Sequence, residues 1–268
     1  MTYQPVVPYG GTAGWAFLNR TREVQEAAFN KSGVITRDTE YFEKNIGKIT
    51  NAEELVSDRR LLRVALGAFG LDADIDSKFF IKKVLEEGTE KGSLASKLSD
   101  KRYEALADAF GFELTPPRTK LSTFGKEITD AYRQRQFEVA VGETDNSMRL
   151  ALSLQRDLKE VAESTDSENA KWFTIMAQPA LREVFETAFR LPKAVGTLDV
   201  DRQLAIFKEK AEAMFGSSDP KQFAEPERME ELTKRFFSQS QIAEGTGSLS
   251  AGSIALTLLQ SGPRFSWG

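Results

Sequence analysis

The stretch Val200-Asp201-Arg202-Gln203-Leu204-Ala205-Ile206-Phe207-Lys208-Glu209-Lys210-Ala211-Glu212-Ala213-Met214 decides the fold class. Val200, Leu204, Phe207, Ala211 and Met214 recur at alternating steps of four and three, which places them on one stripe of a helix. Asp199 precedes the run as an N-cap, and Asp201 sits favourably in the first turn. The same spacing links Leu181, Val184, Phe185, Ala188 and Phe189. It links Leu55, Leu62, Leu66 and Phe69, joined by Ala65, and it links Ala151, Leu154, Leu158 and Val161. No period-two alternation of useful length interrupts these runs. The sequence predicts an all-α helical bundle with no sheet.

Helix ends are marked by local chemistry. Thr50-Asn51-Ala52-Glu53 reads as a capping box with Thr50 as the cap. Gly70 and Gly111 follow Ala-Phe pairs and suit a left-handed closing residue. Pro179 and Pro226 suit first helical turns, Pro192 follows a helix, and Pro116-Pro117 marks a break. Gly10-Gly11-Thr12-Ala13-Gly14 lacks the strand and the Lys-Ser/Thr of a phosphate loop, and reads as a mobile lead-in to the helix bearing Trp15, Phe17 and Leu18.

The halves share phrases. Phe42-Glu43-Lys44-Asn45-Ile46-Gly47 matches Phe137-Glu138-Val139-Ala140-Val141-Gly142. Leu61, Val64, Ala68-Phe69 and Leu71 match Leu181, Val184, Ala188-Phe189 and Leu191. The two sequence offsets disagree, so a common way of ending amphipathic helices explains the likeness better than duplication. On that reading Phe69, Phe110 and Phe189 are each buried at a helix end. The expected organisation is an uncharged lead and first helix over 1–30, helical subdomains over 31–118 and 119–240, and a flexible linker with an amphipathic tail helix over 241–268.

The chain has 268 residues, 36 Lys+Arg and 40 Asp+Glu, and neither His nor Cys. That excludes imidazole or thiolate catalysis, zinc, haem and iron–sulfur ligation, and disulfides. Any metal would need hard oxygen ligands, and no cofactor is expected. A net charge of −4 disfavours nucleic-acid partners. Asp72-Ala73-Asp74-Ile75-Asp76 starts like a calcium loop but has Ser77 and Lys83 where Gly and Glu are required. It reads instead as supplying the cap, Asp74 or Asp76, of the helix with Phe79 and Phe80. Arg59-Arg60 and Arg133-Gln134-Arg135 read as solvated faces or ion pairs. No membrane span and no secretory signal are expected.

No charged side chain occurs before Arg20 or between Gly245 and Pro263. Within the latter stretch, Ala251, Ile254, Ala255, Leu258 and Leu259 form an apolar stripe behind the flexible segment Glu244-Gly245-Thr246-Gly247-Ser248. These five residues are the candidate interaction face, for a partner protein or for self-association.

Several phrases together carry a family resemblance. They are Gly14-Trp15-Ala16-Phe17-Leu18 with Arg20-Thr21, Tyr41-Phe42 with Asn45-Ile46, and Leu55-Val56 with Asp58-Arg59-Arg60-Leu61-Leu62. Ala68-Phe69-Gly70-Leu71, Asp100-Lys101-Arg102-Tyr103 and Leu198-Asp199-Val200-Asp201 complete the set. Over most of residues 14–205 the chain resembles an uncharacterised alphaproteobacterial family, a domain of unknown function whose genes often lie among flagellar genes. The resemblance implies an all-α fold and a flagellum-associated role, and transfers no catalytic residue. Ser253-Ile254-Ala255-Leu256-Thr257-Leu258-Leu259-Gln260 is similar to the C-terminal helix of flagellins and other axial flagellar proteins. The expected function is therefore a non-enzymatic interaction protein, cytoplasmic or exported without a cleaved signal, with a flagellar component as partner. The alternative is a cytoplasmic hydrolase or transferase using carboxylates or Mg²⁺.

Overall fold

The computed structural model describes residues 3–248. All regular secondary structure among the described residues is helical. The chain runs through α1 (Gly11–Asn30), α2 (Gly33–Asn45), α3 (Ala52–Ser57), α4 (Arg59–Ala68), α5 (Lys78–Glu87), α6 (Leu94–Lys97) and α7 (Arg102–Phe110). It continues through α8 (Phe124–Gly142), α9 (Asn146–Ser153), α10 (Lys159–Glu163), α11 (Glu168–Ala177), α12 (Pro179–Ala188), α13 (Val200–Phe215) and α14 (Pro226–Ser248). A π turn, Leu154–Leu158, joins α9 to α10.

The long helix α8 packs against α2 and α4 on one side and α9 on another, while α12 packs against α9, α11 and α14. One buried apolar cluster runs from Trp15 of α1 to Phe237 of α14, and these two rings meet at 5.6 Å. Around Trp172 the core is aromatic: Phe185 and Phe207 meet its ring edge-on at 5.4 and 5.8 Å. The Trp172 indole N–H donates to the Ser218 carbonyl at 2.7 Å, so burial leaves no orphaned donor there.

Local chemistry corrects several expectations. The stripe from Leu55 to Phe69 is split between α3 and α4. Asp58 leaves the helical region (φ −93°, ψ 97°), and its carboxylate accepts from the amides of Arg60 and Leu61, capping α4. The cap of α3 is Asn51, one residue later than expected. Its side chain accepts from the Glu54 amide at 2.9 Å, and Glu54 in turn accepts from the Thr50 amide at 2.7 Å. Asp199 caps α13 as expected, accepting from the Arg202 amide at 2.8 Å. Val200 is 54% exposed, however, and Phe215 closes the buried stripe instead.

Neither Asp74 nor Asp76 caps α5, whose N-cap is Ser77 without a side-chain bond. Asp74 accepts from Tyr103 at 2.8 Å, Asp76 pairs with Arg59 at 2.6 Å, and Asp72 accepts from Gln136 at 2.7 Å. Three carboxylates with separate partners do not converge on a cation, and no metal-sized cluster of acids occurs among the described residues.

The glycine run is packed. α1 begins at Gly11, and Gly14 is buried with no room for a side chain: a Cβ there would lie 1.8 Å from the Tyr9 carbonyl oxygen. Residues 244–248 continue α14 where a linker was expected. Glycine inside a helix costs only about 1 kcal/mol, which an established hydrogen-bond ladder tolerates. Ala251, Ile254, Ala255, Leu258 and Leu259 lie outside the described residues.

The Ala-Phe phrase produces two different endings. After α4, the Leu71 amide donates to the Leu66 carbonyl at 2.9 Å and the Gly70 amide to Gly67 at 3.3 Å, with Gly70 left-handed at φ 69°. After α12, the Leu191 amide donates to Glu186 at 2.8 Å and the Arg190 amide to Thr187 at 3.0 Å. Both are Schellman endings. After α7, Gly111 itself is the left-handed C-cap and donates to Ala107 at 2.9 Å. Phe110 and Phe189 are buried as expected. Phe69 is only half-buried, because its ring lines a cleft instead of entering the core.

Candidate functional site

The end of α4 and the N-terminal part of α7 face α8, the π turn with α10, and the start of α12 across a cleft of about 430 Å³. That volume lies in the range of small-ligand sites. Phe69 and Val139 supply apolar wall, and Arg102, Arg135 and Arg156 supply guanidinium groups.

The π turn shapes the charged wall. Its ladder bonds reach one residue further than in an α-helix, so successive side chains rotate by less than the usual ~100°. The neighbours Arg156 and Asp157 therefore both face the cleft. Arg156 Nε donates to Asp157 Oδ1 at 2.8 Å and Nη2 to Oδ2 at 2.9 Å, a forked pair. Arg156 also pairs with Glu138 of α8, which is 5% exposed and accepts a second bond from Ser153 Oγ at 3.2 Å.

Burial opposes the charge on Arg156, but Asp157 and Glu138 outweigh it and hold the guanidinium above its ordinary pKa. For Glu138 burial wins: its carboxyl lies above the ordinary value despite Arg156 and Arg135. Across the cleft, Arg102 donates to the Gly70 carbonyl at 2.5 Å and grips Asp100 through Nε and Nη2. The hydrogen bonds that Arg102 donates to Asp100 raise it above its ordinary value. At Asp100, burial is outweighed by the bonds from Arg102, and its carboxyl is lowered.

Arg135 differs from both. Burial, reinforced by the nearby Arg156, lowers its pKa, yet a guanidinium stays charged in proteins. Its ion pair with Asp157 spans 3.7 Å, beyond hydrogen-bond reach, and it donates no hydrogen bond to any described residue.

Of the sequence motifs, Arg59-Arg60 and Arg133 do form ion pairs, with Asp76, Asp38 and Asp130 respectively. Arg135, read with them, instead enters the cleft. Glu138 was visible only as part of a repeated phrase. Arg156 and Asp157 are two of the four charged residues between Ala151 and Val161, with Lys159 and Glu160, and their spacing did not set them apart. The tail stripe, Ala251, Ile254, Ala255, Leu258 and Leu259, lies outside the described residues.

Comparison with known proteins adds a relative and a family. An X-ray structure of a protein from Agrobacterium tumefaciens, solved by a structural-genomics consortium, is similar over 90% of this chain and 99% of its own, with 26% identity and a TM-score of 0.73. No curated protein matches significantly. A family described as protein of unknown function matches residues 68–229, more than half of the chain and every residue lining the cleft. On that match, the chain belongs to the DUF1217 family of proteins of unknown function.

Proposed function

We propose that this is a non-enzymatic interaction protein associated with the bacterial flagellum, binding partners through helical surfaces and through the stripe Ala251, Ile254, Ala255, Leu258 and Leu259. The observation that carries the non-enzymatic reading is the closed network in the cleft. Glu138 is occupied by Arg156 and Ser153, and Asp157 by both nitrogens of the Arg156 fork. Groups bonded in this way hold shape, and their donors and acceptors are taken up by one another.

Exposed apolar side chains add support for partner binding. Phe79 is 82% exposed, and Leu198 and Val200 lie near each other in sequence at 41% and 54%. The flagellar part rests on the family resemblance of residues 14–205. No helix among the described residues is long and apolar enough to cross a membrane. The protein acts in the cytoplasm, or outside it after export without a cleaved signal.

A carboxylate- or Mg-dependent hydrolase or transferase is the second reading. Its support is the raised carboxyl of Glu138, the kind of shift a general acid shows.

The test is chemical cross-linking in motile cells, with partners identified by mass, on the full chain and on a chain lacking residues 245–268. A flagellar partner that disappears with the tail, while thermal stability persists, supports the proposal. Loss of stability with partners retained would assign the tail to the core. Cross-links confined to non-flagellar proteins would refute the flagellar role.

A further inference from the structure

We propose that the cleft binds a small zwitterion, one carboxylate and one primary amine separated by a few methylenes, with Arg135 taking the carboxylate. Of the cations lining the cleft, Arg135 is the one with no hydrogen bond to a described residue; Arg149, which forms no ion pair among the described residues, spends its Nε on Asn146 at 2.9 Å. Asp157, the one ion-pair partner of Arg135 among the described residues, is already held by the Arg156 fork at 2.8 and 2.9 Å. Arg102 is committed to Asp100 and to the Gly70 carbonyl. A planar carboxylate suits a free guanidinium, which can offer it two parallel N–H groups.

Gly70 keeps the approach open. A Cβ at this left-handed residue would stand 3.4 Å from Arg135 Nη1 and 3.6 Å from Arg102 Nη1. Any side chain there would project into the space between the two guanidinium groups.

Charge balance selects the rest of the ligand. Five basic and six acidic side chains line the cleft. A phosphate or dicarboxylate would bring excess negative charge among those acids, whereas a single carboxylate with its own amine adds none. Glu160 and Glu183 are exposed at the rim, and neither forms an ion pair among the described residues. They offer the amine a partner. Phe69 and Val139 provide apolar wall for the methylenes between the two charges.

The experiment titrates the full-length protein with 6-aminohexanoate, hexanoate and hexylamine by calorimetry. The zwitterion should bind about tenfold more tightly than either single-ended probe. Arg135→Gln should abolish binding of both carboxylates. Glu160→Gln with Glu183→Gln, both exposed, should leave the fold intact and bring the zwitterion down to the affinity of hexanoate. Absence of saturable 6-aminohexanoate binding overturns the inference. So does hexanoate binding as tightly as the zwitterion, or equal affinity for the zwitterion before and after the double substitution. A phosphate titration that outcompetes 6-aminohexanoate overturns it as well. None of these outcomes bears on the flagellar cross-linking, so the two proposals fail separately.

Discussion

Arg190 occupies the position after α12 that Gly70 occupies after α4: both are left-handed, at φ 56° and 69°, and both sit between the two carbonyl-bound amides of a Schellman ending. The backbone strain differs, because a Cβ makes this region costly by roughly 1–2 kcal/mol, a cost absent for glycine. Arg190 is exposed, so no packing requires its side chain. Arg190→Gly should stabilise the protein by about 0.5 kcal/mol after allowing for the looser unfolded chain. Gly70→Ala should destabilise by about 1 kcal/mol. Urea denaturation of the two variants checks both signs, and a destabilised Arg190→Gly would refute the account of strain.

The Arg156–Glu138 pair is buried, with side chains 16% and 5% exposed. Removing one partner strands the other. Arg156→Met should cost about 3–5 kcal/mol, while joint replacement by apolar residues of similar volume should cost much less. The pH dependence has a definite sign. Glu138 is raised above its unfolded value, so the native state holds its proton more tightly. Its contribution is most favourable at low pH and declines as pH rises through the folded pKa, and losing Arg156 steepens that decline. Denaturation of Arg156→Met at about pH 5 and about pH 8 should find it relatively weaker at the higher value.

Tyr103 gives an alkaline signature. Burial, with the hydrogen bond to Asp74 and its charge, pushes the phenol from 10.0 up to about 12. Folding therefore favours the neutral phenol. That contribution is whole below the unfolded value and is lost as pH rises from 10 to about 12. Ultraviolet titration of the native protein minus Tyr103→Phe should show one phenol ionising near pH 12. A difference spectrum centred at 10 would contradict the burial argument.

Gly14→Ala tests the packing of the N-terminal segment. The added methyl would meet the Tyr9 carbonyl oxygen and, at 2.8 Å, Met148 Cε. Backbone and side chain must both give way, so the melting temperature should fall, with a cost of about 1–3 kcal/mol. Gly33→Ala meets nothing within 4 Å and should be neutral or slightly stabilising. Equal melting temperatures for the two variants would restore the mobile reading of the glycine run.

The helical class was legible because period alone carries it: every residue of the runs 151–161 and 181–189 that spacing placed inward is buried. Boundaries were less legible where one carboxylate competes with the helix. Asp58 ends α3 by capping α4, an exchange of bonds that a continuous apolar stripe conceals. Asn51 displaced Thr50 as cap because either residue can accept an amide bond. The cleft was nearly invisible. Arg135 and Glu138 share α8 while Arg156 lies on the π turn, and only the tertiary approach of these two elements brings the three together. Phe69 was misplaced for the same reason: its neighbours, not its phrase, decide whether the ring is covered.

The contact between Trp15 and Phe237 also sets an order of events. Translation delivers the two rings 222 residues apart. At about 5–20 residues per second, that separation is an interval of roughly 10–45 s. During it, α1 has emerged while the α14 surface that covers Trp15 does not yet exist. The middle helices can assemble among themselves, since α2, α4 and α8 are already neighbours. The α1–α14 contact is therefore a latch that fastens last, and until it does a nascent chain presents Trp15 uncovered on the α14 side.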